Sequence, residues 1–316
     1  MKFILGLIIF LTILFIYLHL HVHLKISNEL EVFDLEELGK EKLEEICDLK
    51  QPFIFPFSNE AIDDGIKSAF TSVHATTQVN IRNKNDKDHN TINHIPINYS
   101  DSLKLFQKDV SGNYYSEKND ELLQDTHLLK CLKNNDHFLR PSYMMNNHYD
   151  VMYGSKDSYT TFQYKLNYRN YYYVSSGSIE VKLTPYTSIR YLYPQYDYES
   201  LEFYSSIDPW NTQPEFKKDL SKVKVMEIQV PTGSVIYIPP YWFHSMKFGE
   251  NTKIISFEYR TYMNNVAIIP ELSMHLFQMN NLKRNNVKRA NIKMDNTDFS
   301  PETKKKKSKR TKTNNK

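Results

Sequence analysis

The chain has 316 residues, 40% hydrophobic and 24% charged, which is enough for a substantial core and too apolar for a disordered protein. Its eight glycines, about a third of the usual ~7%, argue against collagen-like, Gly-linker and glycine-loop nucleotide architectures, and neither GxGxxG nor GxxxxGKS/T occurs. The formal charge of +3 is uneven: eight Lys/Arg against Glu302 put +7 on Pro301 to Lys316 and leave −4 on the rest, so composition assigns no nucleic-acid partner to the globular part.

Phe3 to Leu24 (FILGLIIFLTILFIYLHLHVHL) carries no charge with its three His neutral. It is long enough to span ~30 Å of hydrocarbon. No Ala-x-Ala site follows, so an uncleaved signal-anchor is expected ahead of a cleaved signal peptide. Lys2 and Lys25 flank the segment almost evenly, and a cytoplasmic amino terminus is only slightly favoured. His19, His21 and His23 do not converge on a helix and read as interfacial polar residues. Leu35 to Leu49 has helical spacing, and Gln51 to Phe57 (QPFIFPF) reads as a short strand. Asn80 to Asn98 is polar and reads as a loop. It ends on the sequon Asn98-Tyr99-Ser100, which glycosylation could use if the body is lumenal. Leu122 to Leu132 suggests a short helix. Strands follow at Thr160–Leu166, Tyr171–Val174, Ile179–Leu183, Val223–Val230, Ser234–Ile238 and Lys253–Tyr259, with Gly and Pro between them. Many short strands with regular turn signals predict a mainly β sandwich or barrel. Pro270 then opens a helix with Leu272, Leu276, Met279 and Leu282 on one side. Cys47 and Cys131 cannot make a disulfide framework or a Cys-rich zinc site. One disulfide is open to them; two unpaired buried thiols are expected.

Pro231 to Lys247 reads PTGSVIYIPPYWFHSMK: a turn, a strand ended by two prolines, then aromatics and one imidazole. This resembles the P-G-D-hydrophobic-x-I-P-x-x-W-x-H signature of the JmjC/cupin-like dioxygenases. Upstream the likeness continues through Phe138-Leu139-Arg140-Pro141, Gly154, Asn170 to Gly177, Leu183-Thr184-Pro185 and Leu192-Tyr193-Pro194. It covers roughly residues 35–285 and extends to the cupin-like proteins encoded by large DNA viruses. The resemblance implies a double-stranded β-helix (jelly roll) with flanking helices. The chain then divides into a transmembrane signal-anchor (1–25), a helical and irregular part (26–140), the barrel (141–263), a C-terminal helix (264–292) and a disordered basic tail (293–316). The viral likeness implies a single-pass protein of a host endomembrane or a virion membrane.

The family holds Fe(II) with two His and one carboxylate, leaving positions for 2-oxoglutarate and oxygen. Two ligands come from H-x-D on one strand, whose i, i+2 spacing points both side chains into the barrel. The third is the His after the Trp, and His244 matches it. The strand due to carry H-x-D is Thr160–Leu166. Counting forwards from Thr160 gives Gln163 and Lys165. Counting back from Asn170 and Gly177 gives Tyr164 and Leu166, a one-residue difference that a bulge would absorb. Neither pair offers a His or a carboxylate. His148 and Asp150 have H-x-D spacing one element too early, and with His244 form a weaker alternative set. The position of the family's 2-oxoglutarate lysine is Ile179, and Lys182 turns to the other face. A degenerate member without catalytic residues, metal or cofactor is therefore expected. The alternative is an active Fe(II)/2-oxoglutarate hydroxylase or demethylase with atypical ligands.

Two fillings of the barrel stay open. With Tyr164, Leu166 and Phe162 inward, apolar packing plugs the old metal site; this is preferred. With Gln163 and Lys165 inward, an ammonium replaces the metal charge and needs an acid nearby. A sugar or anionic ligand would then suit the pocket. Trp242 and Phe243 are expected in the core. Expected partners are the membrane through residues 3–24 and an unknown protein or anionic ligand. The tail from Lys304 to Arg310 adds nuclear-signal, phosphate or anionic-lipid contacts if it is cytosolic.

Overall fold

The structure is a computed structural model that describes residues 2–36, 38–85 and 94–284. The strands are β1 (Phe33–Asp34), β2 (Phe53–Pro56), β3 (Gln78–Asn83), β4 (Ile95–Asn98), β5 (Tyr114–Ser116), β6 (Met144–Gly154), β7 (Gln163–Tyr164) and β8 (Arg169–Ser176). They continue with β9 (Ser178–Thr184), β10 (Pro194–Asp197), β11 (Glu202–Ser205), β12 (Met226–Pro231), β13 (Ser234–Tyr237), β14 (Phe243–Phe248) and β15 (Lys253–Thr261). They form a nine-stranded sheet, β1-β2-β13-β8-β15-β6-β5-β3-β4, and a six-stranded sheet, β10-β11-β7-β14-β9-β12. Every pairing except β1–β2 is antiparallel.

Alternation sorts the side chains. On β8, Tyr172 and Val174 point between the sheets, where they meet Ile236 and Ile254 of their own sheet and Val181, Leu183, Met246 and Phe248 of the other. Tyr171 and Tyr173 point the opposite way into a second core. That core is closed by helices Lys40–Asp48, Glu60–Ser72, Asp120–Asp125 and Leu128–Asn135. Because both faces of the central strands are covered, they read as nearly continuous apolar and aromatic runs. A third core covers the outer face of the six-stranded sheet, with Phe162, Tyr164, Phe203, Tyr241 and Phe243. Trp242 and Phe243 are fully buried.

Several elements differ from the sequence reading. The first helix after the apolar segment begins only at Lys40, because Gly39 interrupts it and Leu35 instead bonds Ile54 beside β2. The segment read as one polar loop from Asn80 contains most of β3 and all of β4, paired from Gln78↔Asn98 to Ile81↔Ile95. Val79 and Ile81 are the alternating apolar pair behind that pairing. The Leu122–Leu132 helix is two helices, broken where His127 takes φ 56°. Both thiols are free; Cys47 is buried, whereas Cys131 is half-exposed. In the helix Ile269–Lys283, Leu276 is exposed instead of packed, and no residue is fully buried. The basic tail lies outside the described residues. Lys2–Leu24 forms one apolar helix of 23 residues, none of them buried, long enough to cross a membrane.

Candidate functional site

Toward one end of the space between the sheets, the inward residues change from apolar to polar. His148 and Asp150 come from β6, Tyr172 from β8, Ser256 and Glu258 from β15, Gln163 from β7, and Glu202 from β11. The register explains the grouping: Glu258 lies opposite His148, Ser256 opposite both Asp150 and Tyr172, and Gln163 opposite His244. With Glu117, Lys118 and Lys165 these residues enclose a cavity of about 40 Å³. That volume holds a few waters. It opens into a larger cleft of about 660 Å³ that shares Lys118, His148, Lys165, Glu202 and Glu258. Asn146, Asn147, Asn167 and Asn265 make the cleft amide-rich, and Arg260 adds a guanidinium.

Gln163 and Lys165 therefore line the cavity. Tyr164 packs on the far face of the sheet against Phe203, Phe243 and Tyr241, with ring centroids 5.2, 4.9 and 5.9 Å away. Leu166 and Phe162 join the same outer cluster. The expected apolar plug is thus corrected: pairing of Gln163 with His244 and Tyr204 sets the register and turns Tyr164 outward. Asn170 is fully buried but does not line the cavity; it donates to the carbonyls of Ile238 (3.1 Å) and Asn167 (3.3 Å) and ties two turns together.

The cavity's charges neutralise one another. The Lys165 ammonium is 3.3 Å from Glu258, whose second oxygen accepts from Asn167 at 2.6 Å. Burial works against the charge on Lys165, but Glu258 outweighs it and holds the ammonium above its ordinary range. Burial likewise pushes Glu258 up, and Lys165, then His148, more than reverse this. Arg82 pairs with Glu117 and lies 3.5 Å from Glu202, which also pairs with Lys118. Both carboxylates and the guanidinium are nearly inaccessible. These four residues come from three separate segments, Arg82, Glu117-Lys118 and Glu202, so no local spacing announced them.

Asp150 accepts from the backbone N–H groups of Lys118 (2.6 Å), Asn119 (2.8 Å) and Val151 (2.8 Å). Burial nevertheless pushes its carboxyl up to about 6. His244 is fully buried, and both ring nitrogens are engaged. Nδ1 lies 3.0 Å from the Trp242 carbonyl, which can only accept, so Nδ1 carries the proton. Nε2 is left as an acceptor, 3.1 Å from the Tyr172 hydroxyl. Burial holds this imidazole down to about 4, and nearby Lys165 adds to the effect.

These residues do not fit an Fe(II) centre. Gln163 offers a neutral amide, Lys165 a cation, and the Nε2 lone pair of His244 is already used. His148, Asp150 and His244 do not bring their donor atoms together. Among the described residues the group that does is His94, Glu117 and Glu202, with donor atoms within 4.8 Å of one another. There the Arg82 guanidinium already supplies the positive charge. Lys182, on the outer face, lies 3.3 Å from Glu227 and 4.3 Å from the Trp210 ring centroid, away from the cavity.

Compared with known proteins, residues 41–267 match the family model described as a cupin-like domain. No curated protein matches the chain. The match covers most of the chain, including the cavity, His244 and every strand except β1: the protein belongs to the cupin-like domain family.

Proposed function

We propose that this protein is a membrane-anchored, non-catalytic cupin-like module that binds a partner or polar ligand. Its two sheets are taken as the walls of a double-stranded β-helix, and Lys2–Leu24 as a single membrane span. The observation that carries the proposal is the Lys165–Glu258 ion pair beside a doubly engaged His244. On this reading the neutral Gln163 and the paired Lys165 stand where the family places its first two metal ligands. The amide-rich cleft above them suits a polar ligand. An anion held by Lys165 is less favoured than the sequence suggested, because that ammonium already has its carboxylate.

Restoring the ligands tests the assignment of positions. Gln163→His with Lys165→Asp, combined with Tyr172→Phe to release His244 Nε2, should create Mn(II) binding detectable by calorimetry. Failure of this folded variant to bind would mean that Gln163 and Lys165 do not occupy the family's ligand positions. Metal binding by the unmodified chain that is lost on His244→Ala would instead favour an active dioxygenase with atypical ligands.

A further inference from the structure

The N-terminal helix is not a free tether. It is exposed from Lys2 to Leu18 and half-buried at His19, Leu20 and His23, and it packs beside the helix Tyr262–Ala267. Its C-terminal carbonyls are capped from the domain. The buried Lys50 ammonium donates to Val22, to His23 (3.0 Å) and to Lys25 (2.8 Å). His23 also meets the Tyr168 ring edge-on at 5.1 Å. A helix held this way fixes which side of the domain faces the bilayer it crosses.

That side carries an apolar face without a protein partner among the described residues. Tyr262, Ile269, Met274, Leu276 and Phe277 are each between 47% and 67% exposed. At ~100° per residue, the last four lie within about 160° of one helix circumference. The exposed Arg284, at the helix end, falls on the same arc one to two turns later and the exposed Lys283 borders it, about 20° outside, whereas Glu271 lies off it and is half-buried. Apolar side chains followed by basic ones, with no acid between them, fit the acyl boundary and anionic headgroups of a lipid surface. Its continuity with the capped end of the anchor favours lipid over a second copy of the chain. We propose that the helices Tyr262–Ala267 and Ile269–Lys283 dock on the bilayer beside the anchor. Asn265 and Leu272 belong to these helices and also line the cleft, so its mouth opens next to the docked surface.

The proposal rests on Lys2–Leu24 spanning the membrane, and the test separates the two. The full-length chain, with Cys131→Ser, is placed in phosphatidylcholine/phosphatidylserine vesicles. Single cysteines at Phe10, Val110, Leu276 and Phe277 carry an environment-sensitive dye. Dyes at Leu276 and Phe277 should lose fluorescence to nitroxides on the lipid chains, as at Phe10, and resist aqueous iodide; Val110 should do the reverse. If Leu276 and Phe277 behave like Val110 while Phe10 is lipid-quenched, the docking surface is wrong and the anchor stands. Shielding from both quenchers would mean that protein covers the face, which also overturns the proposal. Quenching of Phe10 by iodide would remove the anchor itself.

Discussion

Lys165 and Glu258 hold each other in a cavity too small for bulk solvent. The Lys165 side chain is 25% exposed and that of Glu258 12%, so the pair stands between an exposed bridge, worth ~1 kcal/mol at most, and a buried one, whose breakage costs ~3–5 kcal/mol. Lys165→Met should therefore destabilise the domain by roughly 2–3 kcal/mol in urea titrations, and Glu258→Leu added to it should recover most of that loss. A single variant as stable as the parent would show that the pair contributes nothing. His244 gives a pH signature. Its folded pKa of about 4 lies below the ordinary 6.5. Between these values the unfolded chain binds a proton that the folded chain does not, so stability falls as pH drops through the window, by on the order of 3 kcal/mol. His244→Gln should lack this contribution. A resonance assigned to His244 by its absence in His244→Gln and titrating near 6.5 in the folded chain would contradict the burial and tautomer assigned here.

At the scale of elements, β8, β13 and β15 were legible as apolar and aromatic runs and β9 by its alternation, and all four fall near their expected places. β6 was not, because its inward positions, Asn146, His148 and Asp150, are polar and mimic a loop. The cavity suffered from the same difficulty. Only two residues of β7 join the ladder, so its register depends on pairing with β11 and β14, which single-chain spacing does not reveal. Glu258 had a readable signal: alternation puts it on the face of Ile254 and Ser256, where a charge requires a partner. Arg82, Glu117 and Glu202 had none, being far apart in the chain. The attachment of the N-terminal helix was equally silent in the sequence, since Lys50 reaches back across more than twenty residues. A cation at a helix C-terminus contributes about 0.3–1 kcal/mol. Lys50→Ala should thus speed amide exchange across Lys25–Leu30 roughly two- to fivefold, with β8 and β15 unchanged. Unaltered exchange there would show that Lys50 does not hold the helix end.

At the scale of the whole molecule, two sheets share one interior with an apolar end and a charged end. The apolar end supplies the core. At the charged end Lys165 and Arg82 hold positive charge between the sheets, each against its own carboxylates. On the proposed reading fold and chemistry separate: the Pro231–Lys247 stretch keeps the strand, the buried Trp242 and the imidazole, while Gln163, paired beside that imidazole, and Lys165 line the cavity. The most direct measurement is an anaerobic calorimetric titration of the full-length chain in detergent with Mn(II), with and without 2-oxoglutarate. The account predicts no saturable binding in either condition. Micromolar binding abolished by His244→Ala would contradict it and place a working metal centre between these sheets.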